Sequence, residues 1–184
     1  MTIPESIEKL TEWLNQNVCS KIKLKLPDDE QNGDGYKVEA VNPTAFPMYQ
    51  PGKDKLPPNV RHPFPSVVVQ LLEGSDDMIT RNSRLKMQLS FTTWNTGNHE
   101  TGEKFKRNAD GWKDVWSFVD RTLRTIENSE YLNGLRVVKE QNITFGQFQQ
   151  EGQISDLYPY WGAWVILTVE RGIARTSEAY SEFL

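Results

Sequence analysis

The distribution of proline constrains this 184-residue chain more than any other feature. Seven of its ten prolines lie between Pro43 and Pro65. Proline has a fixed φ and no backbone N–H, so this stretch excludes a helix and an interior strand. Apolar side chains are interleaved with the prolines: Phe46, Met48, Tyr49, Leu56 and Phe64. A long segment of this kind is typically functional or disordered, and its apolar residues predict a long arm that docks on a surface.

Composition limits the partners that such a chain is expected to bind. The formal net charge is −4 and no run of Lys and Arg occurs, which argues against sequence-specific binding of nucleic acid. The lone Cys19 cannot form an internal disulfide, and we expect an inert thiol. Glu5, Glu8 and Glu12 occupy the place of a signal-peptide core, and no segment has membrane-spanning length. We therefore expect a soluble protein that is made in the cytosol.

Two amphipathic helices are predicted. Thr2 and Glu5 have capping-box spacing at the start of the first helix. Its apolar face comprises Ile7, Leu10, Leu14 and Val18. The second helix is expected from about Ala109 to Asn128, with a stripe made of Trp112, Val115, Trp116, Val119, Leu123 and Ile126. Phe118 lies off the edge of this stripe, which predicts that it reaches a protomer interface unless the sheet wraps far enough to cover it.

Alternating and apolar runs predict the strands. An alternating strand is expected at Lys21–Leu26, with Tyr36–Val41 as a hairpin partner. Ser66–Leu72 is apolar on both faces, as in a central strand, and a turn is expected at Glu73–Asp77. The remaining strands are predicted at 85–94, 135–138, 143–148 and 164–169.

The order of these elements predicts an α+β fold. We expect a mixed, mainly antiparallel sheet with two helices packed on one face, plus the long proline-rich arm. One domain is expected over residues 1–172, including the arm at 43–65 and a polar loop at Asn95–Asn108, followed by a polar tail at 173–184.

Candidate chemical sites are sparse, and each has a simpler explanation. Oxygen-bearing residues in the register of a calcium loop are Asp28, Glu30, Asn32, Gly33 and Glu39. The flanking pattern is strand rather than helix, so a polar hairpin turn is the favoured interpretation. Glu73, Asp76 and Asp77 suggest a divalent-metal site for phosphoryl chemistry, with a solvated turn as the alternative.

The remaining motifs do not predict catalysis. His62 and His99 lie in polar or proline-rich segments and are expected at the surface, and the chain has no phosphate-binding glycine loop. Trp112, Trp116, Trp161 and Trp164 are expected in the core, with an aromatic ligand pocket as the alternative. No catalytic residue, cofactor or metal site is therefore predicted, and we do not expect an enzyme.

Two motifs resemble those of a known family. These are the helix start Asp110-Gly111-Trp112-Lys113-Asp114-Val115 and the segment Tyr158-Pro159-Tyr160-Trp161-Gly162 before the last strand. With the proline-preceded strand that ends in Glu73-Gly74, they resemble tail-terminator or tail-completion proteins of long-tailed bacteriophages. The resemblance covers roughly Pro63 to Glu170, and the long proline-rich segment and the extended 95–108 loop depart from the family pattern.

The resemblance implies a virion structural protein. It implies a small α+β protomer in a homo-oligomeric ring, commonly a hexamer, which caps the tail tube and joins it to the head-side connector. The location implied is the virion, at the tail or the head–tail junction, after assembly in the host cytoplasm. A head-side stopper is the close alternative, and a metal-binding enzyme that uses Glu73, Asp76 and Asp77 is an alternative of a different class.

The resemblance also directs the choice of interface residues. We expect the 43–65 arm and the 95–108 loop to bind a neighbouring protomer or a tube subunit, and to be mobile in the monomer. The residues predicted for the protein interface are Phe118, Phe46, Met48, Tyr49, Leu56 and His99.

Overall fold

The computed structural model describes residues 1–27, 39–79, 81–98, 106–107, 110–150, 153–154 and 157–172. The described residues form two α-helices, α1 (Ile3–Asn17) and α2 (Trp112–Glu127), and two 3-10 helices, Cys19–Lys21 and Lys53–Lys55. The predicted tail at 173–184, the turn at 32–35 and His99 lie outside the described residues. No helix in the described part of the chain combines the length and apolar character that crossing a membrane requires.

Thirteen strands are present in the described residues. In chain order they are β1 (Leu24–Lys25), β2 (Ala40–Val41), β3 (Thr44–Pro47), β4 (Ser66–Asp77), β5 (Asn82–Trp94), β6 (Gly97–Asn98), β7 (Lys106–Arg107), β8 (Tyr131–Leu132), β9 (Leu135–Val137), β10 (Thr144–Gln147), β11 (Gln149–Gln150), β12 (Gln153–Ile154) and β13 (Tyr160–Gly172).

Seven of these strands form the central sheet, in the order β3-β4-β5-β13-β9-β8, with β10 also paired to β13. The pairs β4–β5, β5–β13, β13–β9, β13–β10 and β8–β9 are antiparallel, and β3–β4 is parallel. The short strands β1–β2, β6–β7 and β11–β12 form three separate two-stranded ribbons. The predicted α+β fold with a mainly antiparallel sheet is therefore confirmed.

Both helices cover the same face of this sheet. The capping box predicted at Thr2 and Glu5 is present at the start of α1. Helix α1 contacts β3 and β4, and α2 contacts β5 and β13. Alternate residues of the three long strands join both helices in one apolar core: Val67, Val69, Leu85, Met87, Leu89, Phe91, Ala163, Val165, Leu167 and Val169. The expectation of two helices on one face is confirmed.

Helix α2 is rotated relative to the predicted stripe. Its buried residues are Val115, Phe118, Val119, Thr122 and Ile126. Trp112 is 45% exposed. The ring of Trp116 is only partly buried and meets Phe145 at the sheet margin, 6.1 Å between centroids. The prediction that a tryptophan stripe packs on the sheet is therefore wrong for Trp112, because the sheet curls far enough round the helix to enclose Phe118 instead.

The proline-rich segment belongs to the folded body and is not an arm. Thr44–Pro47 pairs with Ser66–Val69 as a parallel edge strand. Proline is tolerated at a sheet edge, where one side of the strand needs no ladder hydrogen bond. The Asn15 side chain bonds the backbone N–H and C=O of Ala45, at 2.8 and 3.1 Å, and so ties β3 to α1. Further along, the Phe64 ring lies 4.9 Å from that of Tyr160.

Two shorter predictions also need correction. The turn expected at Glu73–Asp77 is wrong, because β4 stays paired with β5 as far as Asp77, with a bulge between Leu71 and Glu73. Of the alternating segment Lys21–Leu26, only Leu24–Lys25 is a strand, and its first residue ends a 3-10 helix. The pairing of this strand with the segment that ends at Val41 is confirmed.

Candidate functional site

The two motifs that carry the family resemblance meet in space beside Asn95. Gly111, at the start of α2, lies so close to Trp161 of β13 that a Cβ atom at position 111 would overlap the indole ring. The indole Nε1 of Trp161 donates to the backbone oxygen of Asn95 at 3.1 Å. The hydroxyl of Tyr158 donates to the oxygen of Thr96 at 2.8 Å. Segments about 50 residues apart in sequence are thus fixed to one point at the end of β5.

The Asn95 side chain is the centre of this polar network. Only 6% of Asn95 is exposed, and its Oδ1 accepts from Lys25 Nζ at 2.8 Å and from Gly97 N at 3.0 Å. Its Nδ2 donates to Asp114 Oδ2 at 2.6 Å. Lys25 Nζ also donates to the backbone oxygen of Gly97 at 2.7 Å. One neutral amide therefore connects an ammonium group on β1 to a carboxylate on α2.

Electrostatics fit a structural role for this network. Burial lowers the pKa of Lys25, and the nearby Asp114 carboxylate opposes that shift. An amide neither gains nor loses a proton near neutral pH, so Asn95 supplies orientation rather than acid–base chemistry. The network holds Asn95 and Gly97 at the start of the predicted 95–108 loop. The expected mobility of this loop in the monomer stays a prediction.

Sequence reasoning did not single out Asn95. The residue follows a strand and precedes Thr96 and Gly97, a pattern typical of any loop. Its partners Lys25 and Asp114 are separated from it by 70 and 19 positions. The sequence signal that could have indicated this contact was Gly111 at the start of a predicted helix. A glycine there permits another side chain to approach the backbone closely.

Two of the predicted interface residues are buried. Phe118 has 0% exposure and packs edge-on against Phe91, with ring centroids 4.9 Å apart. Phe46, on β3, is also buried. A side chain with little or no accessible surface, 0% for Phe118 and 4% for Phe46, cannot supply a protein contact while the chain stays folded. The assignment of these two residues to an interface is therefore wrong.

The other predicted interface residues remain candidates where the structure describes them. Met48 and Tyr49 follow β3 and are exposed, Tyr49 by 67%. Leu56 is half-buried at the end of the second 3-10 helix. These three stay predictions, as does His99, which is not among the described residues.

The carboxylates proposed for a metal site do not converge. Successive residues of a strand face opposite sides of the sheet, so Glu73 and Asp77 share one face and Asp76 projects from the other. Glu73 instead approaches Lys86 at 3.8 Å, and Asp77 Oδ1 accepts from the N–H of Ile79 at 2.8 Å. The described residues contain no group of three His, Cys, Asp or Glu side chains that could hold a metal ion.

The remaining candidates from the sequence are the calcium-loop residues, His62 and Cys19. Glu39, from the calcium-loop register, forms an ion pair with Arg61, and the other register positions lie outside the described residues. His62 is buried rather than at the surface, and its Nδ1 accepts from the Phe64 N–H at 3.1 Å. Burial raises the pKa of Cys19 to about 12, consistent with the inert thiol expected.

An ion-pair ladder crosses the sheet face opposite the helices. Glu170 of β13 lies between Arg84 of β5 and Arg136 of β9, in register with both. Arg84 Nε donates to Glu170 Oε1 at 2.9 Å, and Arg136 bonds the other carboxylate oxygen. Hydrogen bonds from Arg136 and then Arg84 lower the pKa of Glu170. This pairing holds three strands together at the end of the sheet where β5 begins.

No protein-family model matches the sequence, and no curated protein gives a significant match.

Proposed function

We propose that this chain is a structural protein of long-tailed bacteriophage virions, a tail terminator that forms a ring. In this role the ring caps the tail tube and joins it to the head-side connector. One observation supports the proposal most. The motifs behind the resemblance, Asp110–Val115 and Tyr158–Gly162, share one contact in which Gly111 packs on Trp161 and both segments bond the chain at Asn95 or Thr96.

The character of that contact favours assembly over catalysis. Motif residues with a catalytic role would be expected to expose acid, base or nucleophilic groups to a cleft. Here they form a closely packed joint from aromatic rings, a glycine and an amide, and this joint adjoins the first strand of the β6–β7 ribbon. A packed joint without exposed acid, base or nucleophilic groups suits a structural subunit better than an enzyme.

The exposed apolar residues point in the same direction. Large apolar side chains are exposed at the two ends of the long strands, at Met78 and Ile79 and at Trp112 and Leu157. Met78 and Ile79 are adjacent in sequence, and a contiguous exposed apolar patch is a mark of a surface that contacts another protein. The proposed partners are further copies of the chain, in a ring that we expect to be hexameric, the tail tube protein and the head-side connector.

The decisive experiment measures the mass of the assembly and identifies the partner protein that it binds. Multi-angle light scattering after size exclusion should show a closed ring, either for the chain alone or after addition of tail tube protein. A tail terminator binds the tube protein, whereas a head-side stopper of the same junction binds the connector and not the tube. A chain that stays monomeric with both partners would exclude the ring and the terminator role together.

A further inference from the structure

The four methionines of the chain differ in their access to solvent. Met87 lies on the side of β5 that faces the helices and is fully buried, whereas Met78 is 69% exposed and Met48 is 46% exposed. Met1 is partly buried and packs against the core. A dissolved oxidant must reach the sulfur atom of a thioether before it can react, so the four side chains are expected to differ in reactivity.

Met78 follows β4 at the tip of the β4–β5 hairpin. Ile79 beside it is 93% exposed, so the tip presents two adjacent apolar side chains to solvent. Two hydrogen bonds shape the tip: Asp77 Oδ1 accepts from the Ile79 N–H at 2.8 Å, and the Asp77 backbone oxygen accepts from the Arg81 N–H at 2.9 Å. Neither bond uses the Met78 side chain, so both remain when its sulfur is modified.

We infer that Met78 is a site of selective and reversible oxidation by peroxides. The sulfur lone pair attacks one oxygen of hydrogen peroxide, and an S–O bond forms as the O–O bond breaks. The proton of the transferred hydroxyl passes to the displaced hydroxide, which leaves as water. The thioether is thereby oxidised to a sulfoxide and the peroxide is reduced, with no further reactant. Methionine sulfoxide reductases return the sulfoxide to the thioether.

The consequence of oxidation depends on where the methionine lies. A sulfoxide at Met78 makes an exposed side chain polar, and its oxygen stays in contact with water. The modification should therefore leave the core and the thermal midpoint unchanged. A sulfoxide at Met87 would instead bury a polar oxygen between the core residues Leu85 and Leu89, which would destabilise the fold.

The ring that we propose gives oxidation of Met78 a functional consequence. Met78 and Ile79 form an exposed apolar patch that the proposed function assigns to a protein contact. A sulfoxide in such a contact loses its water on association, which weakens the contact. This step rests on the proposed function: oxidation of Met78 should shift ring formation to a higher protein concentration, and enzymatic reduction should reverse the shift.

Peptide mass spectrometry after graded treatment with hydrogen peroxide tests the selectivity. In the folded chain Met78 should gain one oxygen atom first and Met48 should follow, while Met87 stays unmodified. In urea the three side chains should react at similar rates, because all of them are then exposed. Oxidation of Met87 before Met78 or together with it in the folded chain would overturn the inference, as would a Met78 sulfoxide that the reductases leave unreduced.

Met78→Leu is the matched variant, because leucine keeps an apolar side chain at the tip and contains no sulfur. A peroxide dose that modifies Met78 alone should raise the concentration at which the wild-type chain assembles. The same dose should leave assembly of Met78→Leu unchanged. Thermal melts before and after treatment should coincide for both proteins, which separates an effect on association from an effect on folding.

The outcomes distinguish this inference from the proposed function. A chain that never forms rings overturns the proposed function, whereas selective oxidation of Met78 is measured by mass spectrometry in the monomer as well. Rings that form at the same concentration before and after oxidation of Met78 leave the proposed function standing and overturn the role of this site in assembly.

Discussion

Phe118 is the side chain on which the packing of α2 depends most. It has no exposed surface and meets Phe91 edge-on, whereas Trp116 is only partly covered. Phe118→Ala should lower the free energy of unfolding by about 3–5 kcal/mol, since a buried aromatic leaves a cavity that closes incompletely. Trp116→Ala should cost less, and the sequence pattern alone predicts the reverse order. Urea denaturation measures the free energy of unfolding of both variants. Equal losses of stability would contradict the packing of Phe118, rather than Trp116, on the sheet.

Gly111 tests whether the joint between the two motifs needs close contact. Its backbone is an ordinary helical one, so only the neighbouring indole of Trp161 forbids a side chain. Gly111→Ala should therefore lower the free energy of unfolding by about 1–3 kcal/mol, the usual cost of overpacking. Gly172→Ala is the matched control, because nothing lies within 4 Å of a Cβ there. Similar thermal midpoints for the two variants would show that the contact is loose.

Glu170 should contribute stability that depends on pH. Its pKa is lowered in the folded chain by Arg136 and Arg84, so its stabilisation is complete above the ordinary glutamate pKa of 4.5. The stabilisation is lost as the pH falls through the lowered folded value. Glu170→Gln should thus reduce the thermal midpoint at pH 7, and the difference from the wild type should shrink in more acidic solution. A difference that is independent of pH would show that the ladder contributes by packing alone.

At the level of secondary structure, the sequence predicted elements with strong periodicity and missed those defined by distant partners. The capping box at Thr2 and the alternation of β5 depend on local residues, and both were correct. Thr44–Pro47 was excluded as an interior strand, but the edge position that it occupies becomes visible only when β4 lies beside it. Similarly, polar residues up to Asp77 stay extended because β5 pairs with them. Asn95 was missed because its partners are distant in sequence.

The role of β3 changes what a deletion in the proline-rich segment should do. An independent arm would be removable without loss of folding, as the sequence suggested. Because Ala45 and Phe46 are buried and Asn15 binds β3, deletion of Thr44–Pro57 should instead remove the sheet edge and unfold the chain or greatly destabilise it. Circular dichroism and a thermal melt of the deletion variant measure this. A cooperative melt near the wild-type midpoint would restore the arm interpretation.

The whole molecule combines one apolar core with the polar joint at Asn95. The core holds both helices on one face of the long strands, and the joint ties the start of α2 to β1 and to the end of β5. In the ring that we propose, the angle between neighbouring copies would set the number of copies, because a head-to-tail contact closes only at certain rotations. Under that proposal, changes that loosen the core or the joint should affect assembly as well as the stability of the protomer.

Met48 allows assembly to be separated from folding. Its φ of 62° is a backbone conformation that is costly for a residue with a side chain. The residue follows β3, its side chain is exposed, and its N–H donates to the backbone oxygen of Val69 at 2.7 Å. Met48→Gly should leave the free energy of unfolding unchanged or raise it by up to about 1 kcal/mol, because glycine adopts this conformation without strain. The same change removes an exposed apolar contact and should shift ring formation to higher concentration. Tyr49→Ser, which removes a ring without altering the backbone at position 48, should weaken assembly in the same direction. Sedimentation at graded concentrations measures both effects, and wild-type assembly by both variants would place the interface elsewhere.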